Sequence, residues 1–545
     1  MSSIRRRDFV QSAIVGGAAL SLPHLRASGS RAADSHVEVL LDEPIGTIAP
    51  EVYGHFIEHL GGVIYDGVWV GEKSRVPNVG GVRKALVDAL RVIRPSVIRW
   101  PGGCFADSYD WRDGVGPRDK RALRTNFWAG DDGLKDVKGG PAKFESNEFG
   151  TTEFVRFCRA VGAEPYLAVN VRSLPGIAFN QWLEYCNSPA GTTTWSGVRA
   201  AAGDPEPYNV RYWGVGNEAW GCGGNFTPEE YAEEYRRFVT WSVPQFDVPL
   251  AFIGSGPNGR DTEWTRRMLG ALADRNGLDR MWGLSMHHYC DAPDAGHEAV
   301  AFDERGWYDL LVSADRIESI IASIWETMRL ADRNHRIKLV VDEWGAWHKN
   351  APLVDPSHLF ESQSTIRDAL VTGLTLDIFH RHADKIGMAN VAQLINCIHS
   401  LFFSHEEKFT VSPAYHVFAM YAAHQGAASV RTLVSAPRVS WQARNGSRDS
   451  FWGLNGSASR KGSELTLTMT NSSMTEARDT EVVLRGARAA AITMTTLSAR
   501  GVHDINTFEQ PGTVAPVVSE VTGRDLGGPI RIPAASVVKL AIALA

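Results

Sequence analysis

Short apolar runs alternate with amphipathic stretches through most of the chain. The runs at 50–54, 96–100, 165–171, 212–216, 250–255, 283–287, 338–342 and 390–395 are rich in β-branched and aromatic residues and bounded by turn formers, which predicts eight strands. Between them, apolar positions recur at helical spacing over 81–93, 151–161, 229–241, 262–275, 314–333 and 363–382. The stretch Thr227-Pro-Glu-Glu230 places a capping hydroxyl before a proline, as a helix start requires. Eight strand–helix units predict a (β/α)8 TIM barrel, with functional groups at the C-terminal ends of its strands. A doubly wound open sheet is the competitor, but it calls for a phosphate-binding glycine motif after the first strand, and none is present.

The pattern changes at both ends. Beyond about Ser429 it becomes short alternating runs of Ser, Thr, Val and Gly (464–470, 480–484, 491–497, 536–543), which predicts an all-β sandwich. The alternating stretch 37–41 has no place in the barrel and is assigned to that sandwich. The expected division is therefore 1–33 as an export segment, 34–48 as an N-terminal strand of the sandwich, 49–425 as the barrel and 426–545 as the C-terminal sandwich. The export reading rests on Arg6-Arg7 ahead of Asp8-Phe9-Val10 and a weakly apolar stretch to Leu22, which resembles a twin-arginine signal and implies a periplasmic or extracellular protein. No later segment has the roughly 20 apolar residues a membrane span needs, so no membrane association of the mature chain is expected.

Composition narrows the function. Of 545 residues 44% are hydrophobic and 22% charged, a globular profile, and a net charge of −6 leaves no basic footprint for nucleic acid. The 17 Trp, 13 Tyr and 22 Phe favour stacking on flat apolar faces such as those of sugar rings. Six cysteines lack any Cys-x-x-Cys spacing, so neither a zinc site nor a disulfide framework is indicated and mostly free, buried thiols are expected. Histidine pairs occur without a completing carboxylate motif, so no metal and no cofactor are expected.

Polar groups gather where a barrel would expose them. The first strand leads to Glu58 and His59, the second to Arg99-Trp-Pro-Gly-Gly-Cys104, and the third to Asn170. The fourth ends at Asn217-Glu218, the sixth at His287-His-Tyr289, the seventh at Glu343 with Trp347, and the eighth at Gln393. Two glutamates facing each other across a barrel mouth, with histidine and tyrosine beside them, suit glycoside hydrolysis, in which one carboxyl donates a proton and the other attacks the sugar.

The motifs Gly54-His-Phe-Ile-Glu-His59, Arg99-Trp-Pro-Gly-Gly-Cys104, Asn147-Glu-Phe-Gly150, Gly216-Asn-Glu218 with Trp220-Gly-Cys-Gly223, and Asp342-Glu-Trp344 resemble those of the α-L-arabinofuranosidases of glycoside hydrolase family 51. That family belongs to the large clan of retaining barrel enzymes with acids on strands four and seven. The resemblance implies a barrel joined to a β-sandwich, Glu218 as general acid/base and Glu343 as nucleophile. It implies that Glu58, Cys104, Asn217, His287, Tyr289 and Gln393 hold the sugar, with Trp347 as an aromatic wall; Trp128 is assigned as the stacking residue of the loop after strand two. Gly345, Ala346 and His348 depart from the residues frequent in the family, which bears on aglycone preference.

The expected function is thus a retaining, exo-acting hydrolase of terminal α-L-arabinofuranosyl groups. Its partners would be arabinan, arabinoxylan or their oligosaccharides, and the resemblance implies a homo-oligomer, relatives often being hexamers. A related retaining glycosidase of other glycone specificity (xylosidase, galactofuranosidase or endo-glucanase) and a non-catalytic carbohydrate-binding protein are the alternatives.

Overall fold

The computed structural model describes residues 32–130, 144–240, 242, 247–292, 297–349, 351–353, 358–443, 445–521 and 528–545. The arginine pair read as an export signal lies outside them. The first strand, β1 (Ser35–Thr47), precedes a closed parallel barrel. The barrel comprises β2 (Gly54–Phe56), β3 (Val97–Trp100), β4 (Glu164–Val169), β5 (Tyr212–Val215), β6 (Ala251–Gly254), β7 (Met281–Cys290), β8 (Lys338–Ala346) and β9 (Ile386–Val391). Around it lie α1 (Lys84–Ile93), α2 (Thr151–Val161), α3 (Gly176–Asn187), α4 (Thr194–Ala201), α5 (Pro228–Val239), α6 (Thr262–Ala273), α7 (Glu304–Met328), α8 (Ile366–Arg381) and α9 (Pro413–Tyr421). The TIM barrel anticipated from the strand–helix rhythm is the observed fold.

Local chemistry explains the boundaries. The stretch 50–54 does not start as a strand: Pro50–Tyr53 is a 3-10 turn with proline at its first position, and pairing begins only at Gly54. Helix α7 starts well before the expected 314, because Asp303 caps it by accepting the Gly306 N–H. Thr227 and Thr365 make reciprocal capping boxes with Glu230 and Asp368 at the starts of α5 and α8. The barrel interior holds a separate apolar cluster of Val97, Tyr166, Tyr212, Ala251, Ile253, Val340 and Met388.

The C-terminal domain is all-β. Its strands β10 (Ala428–Ser435), β11 (Leu454–Lys461), β12 (Glu464–Asn471), β13 (Arg478–Arg485), β14 (Ala489–Leu497), β15 (Val517–Val521), β16 (Ile530–Ile532) and β17 (Ser536–Leu544) join β1 in the order β15-β14-β17-β12-β11-β10-β1-β13-β16. The N-terminal strand sits inside this sheet, antiparallel to β10 (Val39 opposite Thr432) and parallel to β13 (Val39 opposite Leu484). The sheet shares one apolar core to which β1 contributes Val37, Val39 and Leu41. It also packs against α8, which is buried along nearly its whole length. There the Asp377 carboxylate accepts from Ser457 (2.7 Å), Thr468 (2.6 Å) and Tyr421 (3.2 Å), and Ser457 also meets His380 Nδ1 at 2.9 Å. Among the described residues no helix is long and apolar enough to cross a membrane.

Candidate active site

Strand register builds the centre of the barrel mouth. In the pairing of β7 with β8, His287 lies opposite Glu343, and both strands run further than expected, to Cys290 and Ala346. Glu343 is therefore held within a strand rather than just beyond one. His287 Nδ1 lies 2.9 Å from Glu218 Oε1 and 3.5 Å from Glu343 Oε2, and its Nε2 is 3.2 Å from Asp342 Oδ1. Carboxylate oxygens of Glu218 and Glu343 and a His287 nitrogen all lie within 4.8 Å of one another. Burial alone would depress this imidazole, but the charges of Glu343 and Asp342 and hydrogen bonds to Asp342 and Glu218 hold it up at about 10.

Glu343 is fixed from two further sides. Arg99 Nη1 donates to its Oε1 at 2.7 Å and Tyr289 Oη to its Oε2 at 2.8 Å. Arg99 Nη2 reaches across to the Asn217 side-chain oxygen at 2.6 Å, so one guanidinium aligns the residues beside both glutamates. The guanidinium opposes its own burial through Asp342 and Glu343, which hold it above its ordinary value. Asp342, despite burial, is brought down to about 2 by Arg99 and His287. Tyr166 and Ser285 donate to its two oxygens at 2.8 and 2.5 Å.

Glu218 is differently set. Its side chain is 20% exposed against 7% for Glu343, and its backbone takes the left-handed conformation at φ 39°, which costs a non-glycine residue about 1–3 kcal/mol. The conformation is enforced by bonds on either side. Gly221 and Gly223 N–H groups donate to the Glu218 carbonyl at 2.7 and 3.2 Å, and the preceding Asn217 N–H donates to Asp107 at 3.0 Å. Burial pushes Asp107 up to about 7, opposed by N–H groups of Val171, Asn217 and Arg172.

A third carboxyl, Glu58, closes the floor. It accepts from the Phe105 N–H (2.9 Å), Trp128 Nε1 (3.3 Å) and Gln393 Nε2 (3.1 Å), and burial raises it to about 7. The glycines of Trp100-Pro-Gly-Gly103 allow this crowding: a Cβ on Gly102 would stand 2.8 Å from Glu58 Cγ, and one on Gly103 3.0 Å from Glu343 Oε1. Trp347 packs edge-on against Tyr289 and Phe360, and Phe360 in turn against Trp128, forming one aromatic wall. The cavity between them measures about 70 Å³ and is lined by Glu58, Cys104, Trp128, Glu218, Tyr289, Glu343, Trp347 and Gln393 among others. Hollows of about 800 Å³ beside Trp282 and about 520 Å³ beside Arg118 are larger but lack a histidine-bridged carboxylate pair.

Of the residues singled out in the sequence, Asn217 and His287 stand behind this lining, hydrogen-bonded to Arg99 and Glu218. Asn170 turns away, its amide donating to the Tyr109 carbonyl and Ser173. The expectation for the cysteines needs correction. Cys158, Cys186, Cys290 and Cys397 are free and buried, but Cys104 is bonded to Cys222 with an S–S distance of 2.11 Å. The two lie on the loops after the second and fourth barrel strands, which no sequence spacing reveals. Sequence reasoning also passed over Asp107 and Phe360, and gave Arg99 and Asp342 no role of their own although both stand in its motifs; an arginine and an aspartate at the ends of otherwise apolar strand runs were the available signal for these two.

Two family models match, an α-L-arabinofuranosidase 1 domain over residues 89–306 and an α-L-arabinofuranosidase C-terminal domain over 342–536. An intracellular exo-α-L-arabinofuranosidase of Bacteroides ovatus is 34% identical over 538 residues, 96% of this chain and 98% of the relative. An intracellular exo-α-(1->5)-L-arabinofuranosidase of Acetivibrio thermocellus is 31% identical over 66% of this chain and 69% of its own. The crystal structure of the GH51 arabinofuranosidase from Xanthomonas axonopodis pv. citri superposes with a TM-score of 0.85 at 34% identity, covering 94% of this chain and all of that one. Both curated relatives are named intracellular, which overturns the expectation of export drawn from the arginine pair. Similarity along almost the whole length, together with the matching fold, places this chain among the α-L-arabinofuranosidases of glycoside hydrolase family 51.

Proposed function

We propose that the chain removes terminal α-L-arabinofuranosyl groups from arabinan, arabinoxylan or their oligosaccharides by exo-acting hydrolysis with retention. The observation that carries this reading is the pair of glutamates bridged by His287, with carboxylate oxygens within 4.8 Å of each other. Oxygens that close support the ~5–5.5 Å separation of carboxyl groups in retaining enzymes over the ~6.5–9.5 Å that leaves room for an inverting enzyme's water. Glu343, strand-held and oriented by Arg99 and Tyr289, attacks the anomeric carbon. Glu218, more open to solvent, protonates the leaving oxygen and then takes a proton from the water that releases the sugar. Glu58, Gln393 and Tyr289 would receive the sugar hydroxyls, with His287 and Asn217 bracing the acids behind them. Trp128 and Trp347 form the apolar wall, and Cys104 contributes a disulfide sulfur rather than a thiol. The small cavity supports a single terminal residue as the bound unit. The resemblance further supports a homo-oligomer, which sedimentation would count.

The test is NMR of the first-formed product anomer from a nitrophenyl α-L-arabinofuranoside, beside turnover on the xyloside, galactofuranoside and glucoside. The α-anomer and a clear preference for arabinofuranoside are expected; a β-anomer or a preference for another glycone defeats the reading. Glu343→Ala should lower kcat by on the order of 10³-fold or more.

A further inference from the structure

The Cys104–Cys222 bridge lies against the open face of Glu218. Cys222 Sγ is 3.6 Å and Cys104 Sγ 4.0 Å from Glu218 Oε2, and these three atoms lie within 4.8 Å of one another. All three residues are partly exposed, whereas the four free cysteines are buried. We propose that reduction of this bridge creates a binding site for a thiophilic divalent cation such as Zn²⁺, with Cys104, Cys222 and Glu218 as ligands, and that its occupancy stops turnover. The inhibition rests on the role proposed for Glu218; the binding does not.

The step balances with a dithiol as reductant. Its two thiols reduce the Cys104–Cys222 bond to two cysteine thiols and are themselves oxidised to a disulfide; the cation then displaces the two thiol protons. Two thiolates and one carboxylate make a three-ligand set for tetrahedral zinc, and the cavity leaves the fourth position to water. Zn–S bonds of about 2.3 Å require the sulfurs to separate to about 3.8 Å. With the Cα atoms 5.5 Å apart, side-chain rotation on the two loops provides this. A cation there engages Glu218 Oε2, the oxygen not bonded to His287, so the acid can neither donate its proton nor meet the glycosidic oxygen. The neighbouring cluster of Glu218, His287 and Glu343 also lies within 4.8 Å but would need no reduction.

The full chain, as purified and after dithiothreitol reduction with anaerobic desalting, is dialysed against Zn²⁺ alone, and in parallel against Co²⁺ as a spectroscopic probe. One Zn²⁺ per reduced chain, none per oxidised chain, and a thiolate-to-cobalt charge-transfer band in the reduced form alone are expected. Adding one equivalent of Zn²⁺ should reduce turnover of the reduced chain at least tenfold, reversibly with EDTA, and leave the oxidised chain unchanged. Cys104→Ser and Cys222→Ser, each compared with itself with and without zinc, should lose both the band and the stoichiometric binding. Equal binding in both redox states, or binding retained by both serine variants, overturns the site; binding without loss of turnover overturns the inhibition. A chain that binds zinc as described but cleaves no arabinofuranoside in either state overturns the proposed function and leaves the metal site standing.

Discussion

Arg99 is the residue on which the two glutamates depend most directly, since Nη1 holds Glu343 and Nη2 holds Asn217, the neighbour of Glu218. Lysine cannot span both with one head group. Arg99→Lys should therefore lower kcat by about 10–100-fold, equivalent to about 1.5–3 kcal/mol for a charged hydrogen bond, while KM stays within about threefold. An unchanged kcat in a folded variant would count against the role. His287 gives a second check. Held at about 10 by Glu343, Asp342 and Glu218 against its burial, it should still carry both ring protons at pH 8 in ¹⁵N-histidine spectra, whereas His55 and His424, lowered by burial to about 3, stay neutral at pH 5. A neutral His287 at pH 8 would refute the arrangement of charges. At this scale the sequence revealed the acids, because a carboxylate after an apolar run is conspicuous. It did not reveal the Cys104–Cys222 bond, which depends on two loops meeting in space.

At the scale of elements, Asp107 ties three loop regions together, accepting the N–H groups of Val171 (2.8 Å) and Arg172 (3.3 Å) after the third barrel strand and of Asn217 (3.0 Å) after the fourth. Asp107→Asn turns one acceptor into a donor facing N–H groups, so a loss of about 1–3 kcal/mol in stability is expected. A fall in kcat should accompany it as Glu218 leaves its left-handed conformation. Denaturant titration and steady-state kinetics read the two, and a stability loss with kcat intact would make Asp107 a purely structural tie. Elements were legible where periodicity or capping chemistry was strong: α2 occupies 151–161 as expected, and Thr227 starts α5. They were misplaced where tertiary pairing decides. β8 continues past Asp342 to Ala346 because β7 and β9 keep offering it partners, which single-strand patterning does not record.

For the whole molecule, the junction between α8 and the C-terminal sheet buries a carboxyl that accepts from hydroxyl donors and, among the described residues, from no cation. Burial pushes Asp377 up to about 7 from an ordinary 3.8. The folded state thus keeps a proton that the unfolded chain has released, so this contribution to stability is complete below about pH 4 and is lost as pH rises through 7, at up to about 1.4 kcal/mol per pH unit. The stability of Asp377→Asn relative to the parent should accordingly rise between pH 5 and pH 8; a pH-independent difference would show that Asp377 titrates normally. Removing residues 1–47 should be far more damaging than trimming a terminus, because β1 lies between β10 and β13. Its loss exposes two strand edges, and aggregation on expression is the expected readout. The same placement imposes an order on biosynthesis. Strand β1 leaves the ribosome long before the strands it pairs with, His36 meeting Ser435 and Glu481. At ~5–20 residues per second it waits on the order of tens of seconds while the barrel is made. Throughout that interval an apolar strand stands unpaired beside a growing chain, so this protein's demand on chaperones falls on β1 rather than on its catalytic barrel.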